Sequence, residues 1–105
     1  MLTNKEFNNL KAIPVRELTS IFRQGAMLRL PYLESRLLQA KQNVRNYEQK
    51  YGINLDKLRS KGLPEDAGYK MHEDFIEWEY WYDVKHDTEQ IMKQVKKLLK
   101  EVLED

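Results

Sequence analysis

Glu79, Asp83, His86 and Asp87 are the residues of this chain best spaced for chemistry. On a helix they fall at i, i+4, i+7 and i+8, so three carboxylates and an imidazole share one side. Such a set could hold a divalent cation, but helical metal sites draw ligands from a facing helix as well. The first long helix expected, over residues 31–51, offers only Glu34 and Glu48, without Glu-x-x-His repeats. The four residues therefore read as a solvated acidic face, and no metal or cofactor is expected. There is no cysteine, which excludes thiolate nucleophiles, cysteine-ligated zinc and disulfides. No glycine-rich phosphate loop or serine elbow appears, and Ser20, Ser35 and Ser60 stand in ordinary helical or loop contexts. His72 and His86 read as surface or packing residues. The expectation is a non-enzymatic protein.

Recognition chemistry is better represented. Phe75, Trp78, Tyr80, Trp81 and Tyr82 lie within eight residues, interleaved with Glu73, Asp74, Glu77, Glu79 and Asp83. At 100° per residue these aromatics cover most of a helix circumference, so one neighbouring helix cannot bury them all. Either the N-terminal segment packs on the remaining face, or some of them anchor a partner, since Trp and Tyr dominate interface hot spots. The expected partner-binding set is Phe75, Trp78, Trp81 and Tyr82, with Glu77, Glu79 and Asp83 pairing to cations. Acidic residues around aromatic anchors suit a small basic protein and oppose nucleic-acid phosphates.

The elements that must position these residues are helical. Thr3-Asn4-Lys5-Glu6 reads as a capping box for a short helix ending before Pro14. Val15 to Gln24 forms a second short amphipathic helix closed by Gly25, and Ala26 to Leu30 is unassigned. Pro31 suits the first position of a long helix, where its missing N–H costs nothing. Leu33, Leu37, Ala40, Val44, Tyr47 and Tyr51 then recur at steps of 4, 3, 4, 3 and 4, a coiled-coil-like seam. Gly52 is the expected left-handed stop. Asn54 caps a short helix from Leu55 to Lys61, Gly62 ends it, and a loop runs to Gly68. No Gly or Pro interrupts the remainder. There Trp81, Val84, Thr88, Ile91, Val95, Leu98 and Val102 repeat the 3–4 spacing, whereas Met71, Phe75 and Trp78 miss that register. The mismatch reads as a stammer at Trp78–Trp81.

The expected fold is all-α in a single domain of residues 1–105, a long antiparallel helical hairpin whose short N-terminal helices complete a three- or four-helix arrangement. Residues 1–30 are the N-terminal helical or irregular segment, 31–51 the first long helix, 52–69 a connector, and 70–103 the second. The second helix is the longer. Its surplus must be covered by the N-terminal residues, by a second copy in a dimer, or by another protein.

Charge is segregated. Residues 1–62 carry 12 Lys and Arg against 5 Asp and Glu, and residues 63–105 carry 6 against 12. The halves can attract each other or an oppositely charged partner. Arg16, Arg23, Arg29 and Arg36 could line a basic edge, and Val15–Gln24 with a helix from Pro31 could be squeezed into a DNA-binding helix-turn-helix. The intervening turn of about six residues is longer than the usual three or four. Met1 to Leu10 is polar and mixed, and no apolar run approaches the roughly 20 residues of a membrane span, which points to the cytoplasm and no membrane.

Two stretches together resemble a group of small helical-hairpin proteins encoded beside prokaryotic toxins and regarded as their antitoxins. Tyr47-Glu48-Gln49-Lys50-Tyr51-Gly52-Ile53-Asn54-Leu55 is similar to the group's F-E-x-K-Y-G-M-S helix end and following short helix. Leu63-Pro64-Glu65-Asp66-Ala67 with His72-Glu73-Asp74-Phe75-Ile76-Glu77-Trp78-Glu79 is similar to its hinge and E-D-[FY]-x-E-W helix start. The likeness spans about residues 31–103 and leaves out the first 30. It implies a hairpin that binds and neutralises a small, often basic, toxin, and carries no individual functional residue over. Self-assembly as a dimer and DNA binding through the basic half are the alternatives.

Overall fold

A computed structural model describes residues 1–104, with side-chain surroundings for residues 1–102. The chain is all-α: α1 (Asn4–Asn9), a 3-10 turn (Leu10–Ala12), α2 (Val15–Tyr51), α3 (Leu55–Lys61) and α4 (Tyr69–Glu104). α2 and α4 pack against each other as a hairpin whose longest dimension is 61 Å.

The local stops and starts follow side-chain chemistry. The Thr3 hydroxyl accepts from the Glu6 amide at 3.2 Å while the Glu6 carboxylate accepts from the Thr3 amide, closing the capping box of α1. Gly52 takes φ 65°, and its N–H donates to the Glu48 carbonyl at 2.8 Å. A residue with a Cβ would be strained there, and the turn would lose its cheapest stop. Asn54 caps α3 by accepting from the Lys57 amide at 2.8 Å.

α2 departs from the expected division of the chain. It runs unbroken from Val15 to Tyr51, so Gly25 and Pro31 lie inside a single 37-residue helix. Pro31 is not an N1 residue, and no turn exists for a helix-turn-helix. A mid-helix proline costs about 3 kcal/mol. That cost is offset by the packing of Ala26, Leu33 and Ala40, which lie on either side of the proline and are buried on one stripe of α2. The hairpin arms are consequently nearly equal, with 37 residues in α2 and 36 in α4. The surplus of α4 lies alongside residues 15–30, which extend α2, and Val15, Arg16 and Arg23 line one groove with Val102 at the far end.

The stammer is also absent. Asp74, Trp78, Trp81, Lys85, Thr88, Met92, Val95 and Leu99 step by 4, 3, 4, 3, 4, 3 and 4, and all are buried or half-buried. The seam keeps one register throughout, and hydrophobicity hides it because Asp74, Lys85 and Thr88 are polar. Ile91 and Leu98, assigned to the seam by hydrophobicity, are 50% and 47% exposed. No helix of the described residues is long and apolar enough to cross a membrane.

Candidate functional site

The aromatic stretch is built into the connector end of the hairpin. α3 lies there as a third layer, its Leu55 and Leu58 buried with Val44 of α2 and Trp78 of α4. Trp78 has no exposed surface. Its ring stacks between Tyr47 and Tyr51, with centroids at 5.8 and 5.9 Å and planes inclined by 21° and 14°. Phe75, Trp81 and Tyr82 pack around the same cluster, half-buried. Trp78, expected as a partner anchor, is thus a core residue, because the seam register turns it straight at α2.

The acidic residues of the stretch close this core from its rim. Tyr47 donates to Glu77 at 2.8 Å, and Tyr51 donates to Asp74 at 2.6 Å. Burial, then the Glu77 contact, pushes the Tyr47 phenol up to about 12. Burial, reinforced by Asp74, also raises Tyr51. Tyr82 donates to Asp56 at 3.1 Å, which raises its phenol, and the Arg59 guanidinium lies 5.0 Å above its ring. The same guanidinium directs two N–H groups at one oxygen of Glu79, at 3.0 and 3.2 Å, and reaches Asp83 at 4.0 Å. Glu77, Glu79 and Asp83, expected to pair with partner cations, thus already have partners within the chain. Glu77 and Asp83 nevertheless remain exposed.

Asp74 is the most constrained of these groups. It is 3% exposed and accepts from Lys50 and Tyr51 through one oxygen, with Lys70 3.4 Å from the other. The Lys50 ammonium, then the Tyr51 hydroxyl, hold its carboxyl down at about 2. A carboxyl lowered by folding stabilises fully above its ordinary value of 3.8 and loses that contribution as pH falls toward 2. Asp74→Ala is expected to cost about 2–3 kcal/mol by leaving the Tyr51 hydroxyl unpaired at a charged hydrogen-bond site. Urea titrations at neutral pH measure that loss. The same titrations in acid should show a flatter decline of stability in the variant than in the wild type.

What this end presents outward is a different set. Tyr69, Glu73, Ile76, Tyr80, Asp83 and Asp87 step by 4, 3, 4, 3 and 4 along α4 and are all exposed. Tyr69 is 80%, Ile76 69% and Tyr80 51% exposed. Glu73 and Asp87 form no ion pair among the described residues, and Glu77 borders the stripe. Only Asp83 of this stripe belonged to the expected binding set. The signal was available in the spacing, since Tyr69, Ile76 and Tyr80 keep a common face that Phe75 and Trp78 do not share.

The basic residues divide as well. Arg16 and Arg23 border one groove, whereas Arg29 and Arg36 border another. The step of six between Arg23 and Arg29 turns the helix by about 240°, so the four do not form one edge. Arg36 donates to the Tyr80 hydroxyl at 3.3 Å, and Arg29 lies 4.3 Å over the Tyr32 ring. Among the described residues no cluster of His, Asp or Glu suits a metal ion, and the surface grooves are open rather than enclosed.

No protein-family model, curated protein or solved structure matches this chain.

Proposed function

We propose that this chain is a non-enzymatic, antitoxin-like binding protein, and that it takes a small basic partner on the outward stripe of α4 beside the connector. The observation that carries this reading is the exposure of Tyr69, Ile76 and Tyr80 among Glu73, Glu77, Asp83 and Asp87. Large side chains left in water on a rigid, three-layered end of the molecule are suited to act as anchors, and the carboxylates around them favour a cationic mate. The likeness of residues 31–103 to toxin-neutralising hairpins supports the same partner class. In this reading Trp78 and its neighbours do not touch the partner. They hold α4 straight and set the angle at which the stripe is offered.

The test is affinity capture of the tagged full-length chain from its native host, followed by measurement of the captured protein's binding in solution. A small basic protein is expected, with affinity that falls as salt screens the carboxylates. Tyr69→Ala combined with Ile76→Glu should weaken binding by about 100-fold or more while leaving the melting temperature within a few degrees. Capture of no basic protein, or binding that the double variant leaves intact, would refute the reading.

A further inference from the structure

The two ends of the hairpin are not equally finished. At the connector end α3 closes the core, whereas toward the other end α2 and α4 cover only each other, and α1 contributes no buried residue. A pair of amphipathic helices without a third layer leaves apolar surface in water, and stable helical architectures bury that surface against a further element.

One flank of this unfinished half is apolar and grooved. Tyr32 and Leu33 of α2 face Val84, Thr88 and Ile91 of α4 across it, with Arg29 and Arg36 on the α2 side and Asp87 on the α4 side. The flank continues at heptad spacing. On α4, Leu98 lies seven residues beyond Ile91 and is 47% exposed. On α2, Leu28 and Ile21 precede Tyr32 by 4 and 11 residues and are 81% and 57% exposed. These α4 positions are the ones that hydrophobicity assigned to the seam, and they form a second stripe beside it. A groove nearer the connector, lined by Lys41, Val44, Arg45, Glu48 and Lys85, is mostly polar.

Size decides what fits. A compact monomer of 12.7 kDa exposes roughly 6,200 Å², whereas this chain exposes 8357 Å². The excess, roughly 2,000 Å² per chain, belongs to the elongated chain as a whole, and it leaves room for the roughly 800 Å² each partner contributes to a standard interface. With a two-fold axis parallel to the helices, the Arg29 and Arg36 edge of one copy falls beside Asp87 of the other, so the flank is self-complementary in charge in that arrangement.

We propose that two copies of this chain associate through this flank, pairing their α2–α4 layers into a four-helix bundle. The flank meets the stripe proposed for the basic partner at Asp87 and at Tyr80, which Arg36 contacts. Tyr69 and Ile76 lie toward the connector and outside the groove. Variants at Ile91 and Leu98 therefore test the flank, and variants at Tyr69 and Ile76 test the stripe.

Sedimentation equilibrium of the full-length chain should return twice its 12.7 kDa mass. Ile91→Glu with Leu98→Glu should return the single-chain mass. Should that variant fail to fold, two further measurements decide. The melting temperature of the wild type should rise with protein concentration, as it does when dissociation accompanies unfolding. The natural chain lacks cysteine, so Ile91→Cys should give a cross-linked dimer with a short bismaleimide, whereas Arg45→Cys in the polar groove should not. A wild type of single-chain mass, with a concentration-independent melting temperature, would overturn the proposal and leave the flank to a different protein. Equal cross-linking at both positions would overturn it too.

Discussion

Trp78→Ala is expected to destabilise the chain by about 3–5 kcal/mol, the usual range for removing a fully buried large aromatic. Net stabilities of small domains are about 5–15 kcal/mol, so much of the folded population should be lost on mild heating. The side chain touches all three layers at the connector end, and its ring fills the space between Tyr47 and Tyr51. Neither tyrosine can collapse into the cavity without breaking its bond to Glu77 or Asp74. Trp81→Ala, at a half-buried position of the same seam, should cost less. Urea denaturation followed by circular dichroism measures both, and the contrast between them is the informative quantity. A wild-type midpoint for Trp78→Ala would return that residue to the role of a partner anchor.

The second large effect has the opposite sign. Pro31→Ala should stabilise the chain by about 2–3 kcal/mol, because alanine restores the missing N–H and removes the clash of the ring with the preceding turn. For a chain of this size that corresponds to a rise in melting temperature on the order of 10 °C. Gly25→Ala should add about 1 kcal/mol, since a Cβ there meets nothing within 4 Å and the helix loses its most flexible residue. Calorimetry on the single and double variants tests this directly. If the first long helix began at Pro31, proline would already be the favoured residue and alanine would bring no gain. A neutral or negative shift would therefore argue that α2 is broken at this point. Both residues lie in the half of the hairpin that lacks a third layer, so the two stabilising substitutions should also tighten the flank proposed to receive a second copy.

Much of the hairpin was legible in the order of residues. Capping chemistry is local, so Thr3 with Glu6, Gly52 and Asn54 announce their helix boundaries without reference to distant chain. The α2 seam from Leu33 to Tyr51 was readable because each of its members is apolar or aromatic and each is buried or half-buried. The seam of α4 was misread for the complementary reason. Asp74 looks like a surface residue until Lys50 and Tyr51 arrive from α2 to satisfy it. Lys85 is likewise accepted in the seam although it does not score as apolar, whereas spacing alone already places Thr88 there. Hydrophobicity then selected Ile91 and Leu98 instead, and a stripe beside the core was taken for the core.

The identity of the surface proposed for binding turned on that same phase. The sequence by itself determined that this chain is a charge-segregated helical hairpin with an aromatic, acidic stretch opening its second arm. Only the tertiary structure decided that Trp78 faces inward, that Tyr69, Ile76 and Tyr80 face outward, and that α2 continues through Gly25 and Pro31. Periodicity describes each helix relative to its own axis. Which side of that axis meets a neighbour, and whether packing offsets the cost of a proline, depends on side chains more than 20 residues away, as Tyr47, Lys50 and Tyr51 are from Asp74 and Trp78.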